Sequence, residues 1–299
     1  MSNNGCNGTL PNINMIRVLV TGGTGFIGNS LTTSLLSSNY YVIAAVRNKT
    51  NMLPRNTEKI IVEALSSETD WTAALKTVDV VIHCAGRAHV MNNSKRNPLA
   101  EFRKVNTEGT LKLARQAAIS GIKRFIFISS IKVNGEMTSA YQPFQSNDNY
   151  LPTDPYGLSK YEAEQGLLAL AKETGMEVVI IRPPLVYGSN VKANFAVMIK
   201  WVNRGVPFPF GAIHNKRSLV ALDNLVSFII HCIDHPKAAN EVFLISDGED
   251  VSTTTLLRKA AHAFGKKALL LPIPVSLMTF AAKLLGKGDM ANRLFGSLQ

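Results

Sequence analysis

Tyr156 and Lys160 stand four residues apart in TDPYGLSKYEAE, residues 153–164. On a helix, side chains at i and i+4 share a face. Asp154-Pro155 makes a helix entry, because proline's missing N–H costs nothing in a first turn. The spacing therefore predicts a phenol beside an ammonium. A free tyrosine has a pKa of about 10 and is a poor base near neutrality. A neighbouring ammonium, together with the positive ring of an oxidised hydride carrier, favours tyrosinate and lowers that pKa. Such a phenol can pass a proton to or from an alcohol oxygen while a hydride moves at the attached carbon. The third member expected is a short hydroxyl at a strand end. FISSIK supplies two, Ser129 and Ser130. A serine there can hydrogen-bond the reacting oxygen and hold it against Tyr156.

Hydride chemistry needs a carrier, and the start of the chain offers a place for one. VTGGTGFIG follows a β-branched run and opens an apolar helical pattern. That context suits a dinucleotide loop. Gly22 permits the tight turn, Gly25 lets backbone approach a pyrophosphate, and Gly28 lets the helix pack on the sheet. Thr24, Phe26 and Ile27 share the loop and the helix start, whose N–H groups face the anion. No GKS or GKT follows, which argues against a nucleotide-hydrolysing loop. The second strand ends AAVRNKT, with Arg47 and Lys49 and no acid. A basic residue there suits a ribose 2′-phosphate, so NADP(H) is the expected cofactor. If Arg47 is only a solvated strand-end charge, NAD(H) is the alternative.

The elements that must position these groups are legible as alternating runs. Strands are expected at 15–22, 40–46, 59–65, 78–86, 123–130 and 176–184, with helices at 26–38, 102–120 and 156–175. The strands are nearly continuous apolar runs, as when both faces of a parallel sheet are covered. Strand–helix alternation predicts an α/β Rossmann-type, doubly wound parallel sheet over 15–188. Residues 189–299 read as a smaller, mostly helical substrate lobe, partly interleaved with the first domain, with strands at 241–246 and 218–222. Residues 1–14 read as a flexible extension.

Composition sets the remaining bounds. The 299 residues are 46% hydrophobic and 18% charged, ordinary for a soluble globular protein. Net charge is +11, which suits an anionic ligand or surface. Nucleic acid is not expected: aromatics are 7%, with no basic stripe interleaved among them. Three scattered cysteines suit a reducing compartment, so the cytoplasm is expected. ALLLPIPVSLMTFAAKLLG (268–286) is apolar but interrupted by Pro272, Pro274 and Lys283, short of a membrane span. A buried helix is expected there, with peripheral membrane contact as the alternative. His231, Cys232 and His235 lie close in sequence, but a helix end before Pro236 explains them better than a metal, and no metal site is expected. His83 and His89 read as strand-end residues, and Cys84 as buried.

Taken together, VTGGTGFIG, HCAG (83–86), VNTEGT (105–110), FISSIKVNG (127–135), YGLSK (156–160) and RPPLVYG (182–188) resemble the extended short-chain dehydrogenase/reductases, the epimerase/dehydratase group. The resemblance covers roughly residues 15–235. It implies Ser130 as the catalytic serine, Tyr156 as the acid/base and Lys160 as the residue that binds the nicotinamide ribose and tunes Tyr156. It implies Ala85 and Gly86 along the pyrophosphate and ribose, Leu65 near the adenine, and Asn106 beneath the active-site end of the sheet. Pro183 and Val186 would flank the nicotinamide. Ser129, Asn194, Arg217 and Arg293 are the implied substrate contacts. Arg217 suits a diphosphate because guanidinium binds phosphate bidentately; an ordinary surface salt bridge is its alternative role.

The likeness is greatest to bacterial UDP-hexosamine 4-epimerases and 4-keto reductases of O-antigen and capsule synthesis. It implies a UDP-linked sugar as partner. The helices at 102–120 and 156–175 offer a face through which a homodimer could form. Arg47 and Lys49 favour NADPH-dependent reduction of a UDP-4-keto-6-deoxy-hexosamine. A 4-epimerase with tightly bound NAD is the alternative, and a small-molecule ketone reductase a further one. Asn134 stands where many epimerases have tyrosine. Family members usually continue beyond RLFGSLQ, so either a naturally short lobe or a truncated chain is expected.

Overall fold

In a computed structural model the protein is described over residues 15–88, 97–139, 142–191, 193–286 and 288–299. The expected extension 1–14 and His89 lie outside the described residues. The first half alternates as read: β1 (Arg17–Thr21), α1 (Phe26–Ser37), β2 (Tyr41–Val46), β3 (Glu58–Ile61), a short α2 (Thr72–Leu75) and β4 (Val80–His83). Next come α3 (Pro98–Phe102), α4 (Gly109–Ile119), β5 (Arg124–Ile128), α5 (Pro155–Thr174) and β6 (Glu177–Arg182). Then follow β7 (Leu185–Tyr187), α6 (Ala193–Asn203), β8 (Leu219–Ala221), α7 (Leu222–His231) and β9 (Val242–Leu244). The chain closes with α8 (Thr253–Ala263), α9 (Val275–Leu284) and α10 (Gly288–Phe295).

The main sheet has seven strands in the order β3-β2-β1-β4-β5-β6-β9, all parallel. Order reverses between β1 and β4, which opens a crevice at the strands' carboxyl ends. Each strand alternates its side chains between two cores. Leu19, Val81, Phe125, Phe127 and Ile180 face Leu113 and Ala117 of α4 and Leu167 of α5. Val18, Val20, Ile82, Ile126 and Ile181 face Leu31 and Leu35 of α1 and Leu225 and Ile229 of α7. Both sheet faces are therefore covered, which explains the unbroken apolar strands. A second, two-stranded sheet pairs β7 with β8 in parallel.

Three local features stand out, two of which place functional side chains. Asp154 caps α5 by accepting from the Gly157 N–H at 2.9 Å, with Pro155 in the first turn. Gly175 ends that helix in the left-handed region at φ 74°. Between α3 and α4 the chain does not run as one α-helix. Arg103–Glu108 is a π-helical stretch, and it carries the fully buried Asn106. The third feature corrects an expectation. The 268–286 stretch does form a helix, α9, but that helix has no buried residue.

Candidate active site

Two cavities meet at the carboxyl ends of β1, β4 and β5. The larger, about 550 Å³, is lined by Gly22, Thr24, Gly25, Arg47, Leu65, Ala85 and Gly86, among others. The smaller, about 230 Å³, is lined by Ile27, Ser129, Ser130, Tyr156, Lys160, Pro183 and Val186. Cys84, Gly86 and Arg87 line both, so the two form one continuous run.

The larger cavity fits a dinucleotide by its lack of side chains. Gly22 has φ +70°, and a Cβ there would lie 2.7 Å from the Ala85 nitrogen. A Cβ on Gly28 would lie 2.2 Å from the Gly22 carbonyl oxygen. The second glycine thus lets α1 sit against the turn that the first creates. Helix α1 follows Gly25 as its N-cap and has no acid in its first turn, so its N–H groups are open to an anion. Phe26 and Ile27 also pack against the core of the α1 face. Arg47 is exposed at the cavity's rim.

The β4 end is held by a buried polar chain. Thr21 Oγ1 and His83 Nδ1 are 2.7 Å apart, and His83 Nε2 and Thr110 Oγ1 are 3.0 Å apart. The Ala85 N–H donates to Thr21 Oγ1 at 3.2 Å. Full burial pushes the His83 pKa down to about 3, so the ring is neutral. Asn106 then fixes the next residues. Its Oδ1 accepts from the Arg87 N–H at 2.8 Å, and its Nδ2 donates to the Arg87 carbonyl and to Ser159 Oγ, each at 3.0 Å. Asn106 therefore supports the cavity floor from below.

At the smaller cavity, Lys160 is 3% exposed and donates from Nζ to the Ile128 carbonyl at 3.0 Å. It also lies over the Phe127 ring, 4.4 Å from its centroid. Burial pulls its pKa down to about 8, against the opposing pull of Glu164. Tyr156 packs edge-on against Phe102 at 5.8 Å. Its pKa is pushed up to about 12: burial raises it, and a hydrogen bond with the Ser130 hydroxyl only partly offsets this. The expected lowering counts the charge of an oxidised cofactor as well, and the protein alone does not reach it. Burial outweighs the local polar partner until further positive charge arrives.

The two serines of FISS point to different tasks. Ser130 opens the cavity side and hydrogen-bonds Tyr156. Ser129 Oγ instead donates to Glu164 Oε1 at 2.5 Å in the interior. Arg217 is half-buried, is not among the residues lining these two cavities, and pairs through its backbone with Val251 and Leu298. Burial lowers its guanidinium pKa. Asn194 and Arg293 lie on α6 and α10, and their side chains are outside the described set.

Sequence reading missed Arg87 and Glu63, both of which line the larger cavity. Arg87 follows the HCAG turn directly, and that position was its signal. Its guanidinium pairs with Glu101 at 2.6 Å. Glu63 gave no signal, since nothing in the KIIVEAL run marks it. Cys84 is half-buried between the cavities, and desolvation pushes its thiol up to about 12, which favours the protonated form.

The model of the NAD dependent epimerase/dehydratase family matches residues 18–246. A UDP-glucose 4-epimerase of Vibrio cholerae is 53% identical over 286 residues, covering 94% of this chain and 86% of that protein. A UDP-glucose 4-epimerase of Thermotoga maritima, solved with UDP-glucose, aligns with a TM-score of 0.71 at 26% identity, covering 87% of this chain and 86% of that one. A Thermus thermophilus UDP-glucose 4-epimerase in complex with NAD gives a TM-score of 0.73 at 23% identity, covering 87% of this chain and 86% of that one, which is a likeness of fold.

Proposed function

We propose that the chain, which belongs to the NAD dependent epimerase/dehydratase family, is a UDP-sugar 4-epimerase that works with bound NAD. The observation that carries this reading is the convergence of Ser130, Tyr156 and Lys160 on a cavity continuous with the glycine-lined cleft. The 53% identity to a UDP-glucose 4-epimerase supports the choice of reaction. The expected NADPH-driven 4-keto reductase is not supported by the relatives, and the epimerase alternative fits them better. The NADP(H) preference argued from Arg47 is likewise unsupported. Arg47 is a solvated rim residue, and a rim charge can serve a pyrophosphate or adenine as well as a 2′-phosphate.

When bound, NAD supplies a hydride acceptor, and later a donor, at the sugar's C4 carbon. The chain's residues handle the proton and the geometry. Ser130 and Tyr156 hold the C4 oxygen between two hydroxyls. Tyr156 takes its proton and returns it after the sugar has presented its other face. Lys160, anchored on the Ile128 carbonyl, supplies positive charge that favours the tyrosinate needed for the first step. Thr21, His83 and Asn106 fix the 84–87 backbone against which the dinucleotide would lie.

The test is direct. Purified protein incubated with UDP-glucose should form UDP-galactose without consuming added NADPH, and heat-released cofactor should be NAD. Steady NADPH oxidation with a UDP-4-keto sugar, and no epimerisation, would return the reductase reading.

A further inference from the structure

Helix α9 is oriented opposite to an ordinary surface helix. Such a helix turns its apolar stripe toward the core. In α9, Leu277, Phe280 and Leu284 fall at i, i+3 and i+7, on one face, and are 58%, 61% and 73% exposed. The half-buried positions, Val275, Met278, Thr279 and Ala282, occupy the opposite side. Leu269 and Leu271 before the helix and Leu285 after it are also exposed. The apolar stripe therefore points away from the protein, where water should disfavour it.

The charge of this segment has one sign. Between Phe264 and Gly288 the sequence carries Lys266, Lys267, Lys283 and Lys287 and no acid. Lys267 and Lys283 are exposed, and Lys283 borders the apolar stripe. Lys266 donates to Asn203 Oδ1 at 3.1 Å, which ties the segment to the end of α6. Exposed Val197 and Trp201 of α6 add apolar surface on that helix, whose sequence also lacks acids.

We propose that this face of the C-terminal lobe docks on an anionic phospholipid surface, with α9 lying in the headgroup plane. Leucine and phenylalanine side chains would enter the headgroup–acyl boundary while lysines meet lipid phosphates. Spanning is ruled out by length: the ten residues of α9 rise about 15 Å, half of a hydrocarbon core of about 30 Å. No helix among the described residues is long and apolar enough to cross a membrane. A second copy of the chain is the weaker occupant. A two-fold contact sets like patches against each other, and the lysines of 264–288 would meet lysines.

The experiment is co-sedimentation of the full chain with vesicles. One set mixes phosphatidylglycerol with phosphatidylcholine, and the other is phosphatidylcholine alone. The protein should pellet with the mixed vesicles, release at high salt, and stay in solution with the neutral ones. Each lysine near an anionic leaflet strengthens binding roughly fivefold, so Lys267→Gln/Lys283→Gln should weaken it about 25-fold. Leu277→Ser/Phe280→Ser/Leu284→Ser should abolish pelleting. Those side chains are exposed, so its circular dichroism and NAD binding should stay unchanged. Failure to pellet with either vesicle, or equal pelleting by both variants, would overturn the proposal. So would a dimer in solution that the triple variant dissociates, since the face would then be a self-contact.

Discussion

Glu164 and Arg182 form a buried, two-pronged ion pair one turn beyond Lys160. Arg182 Nε lies 3.0 and 3.1 Å from the two carboxylate oxygens, and its Nη2 lies 2.5 Å from Oε2. Glu164 is fully buried. The same carboxylate accepts from Ser129, beside Ser130. Arg182 Nη1 donates to Asn134 Oδ1 at 3.0 Å, and Asn134 Nδ2 donates to the Gln145 carbonyl at 2.6 Å. Helix α5, the end of β5, the end of β6 and the turn at 145–148 are thus joined through one pair. Asn134, which departs from the tyrosine common in epimerases, is here a structural link in that chain.

Removing one partner of such a pair strands a buried charge, at a cost of about 3–5 kcal/mol. Glu164→Gln should therefore lower unfolding free energy by roughly that amount in a urea melt. Glu164→Met/Arg182→Met removes both charges and should be clearly less destabilised than the single change. A double variant as unstable as the single one would mean the pair is not the source.

Tyr156→Phe removes the proposed acid/base while keeping the ring that packs on Phe102. Turnover should fall about 10²- to 10⁴-fold, the usual share of general acid–base catalysis. NAD binding, measured by calorimetry, should change little, because the phenol is not part of the glycine-lined cleft. The difference between the tyrosinate absorbance titrations of wild type and Tyr156→Phe should have its midpoint near pH 12 without cofactor and move to lower pH when NAD is added.

The glycine turn allows a sharper test of the cofactor site. Gly28→Ala places a methyl 2.2 Å from the Gly22 carbonyl oxygen, so α1 must retreat from the loop. NAD affinity should drop by about tenfold or more, because α1's N–H groups shift with it. Unchanged affinity would place the dinucleotide elsewhere.

His83 makes stability depend on acid. Its folded pKa is about 3 against 6.5 when exposed. Between those values the unfolded chain binds a proton that the folded one excludes. The stability linked to His83 is complete above pH 6.5 and is lost as pH falls from there toward 3. The slope is at most about 1.4 kcal/mol per pH unit. Urea melts between pH 4 and 7 should show a shallower slope for His83→Gln than for the wild type. The variant should also be less stable at neutral pH, because Thr21 and Thr110 lose their shared partner.

Much of this was legible because it is local. VTGGTGFIG, the apolar strand runs and the Asp154-Pro155 cap each declare a conformation within a few residues. Ser130, Tyr156 and Lys160 were found by order along the chain, and the sheet brought them to one cavity. Burial was not legible. It holds the Tyr156 phenol high in the protein without cofactor, and it hides the Glu164–Arg182 pair, for which the sequence carried no signal. The π-helical stretch around Asn106 has no sequence rule of its own. Apolarity in 268–286 was visible, but the side on which α9 would carry it was not.

The most direct measurement of the central claim follows a label. UDP-glucose carrying deuterium at C4 is incubated with the protein, and product UDP-galactose is weighed by mass spectrometry. Transient oxidation and reduction at one carbon, with the hydride kept within the site, predicts that the product retains its deuterium. Loss of the label to solvent, or its transfer to added free cofactor, would contradict the epimerase account.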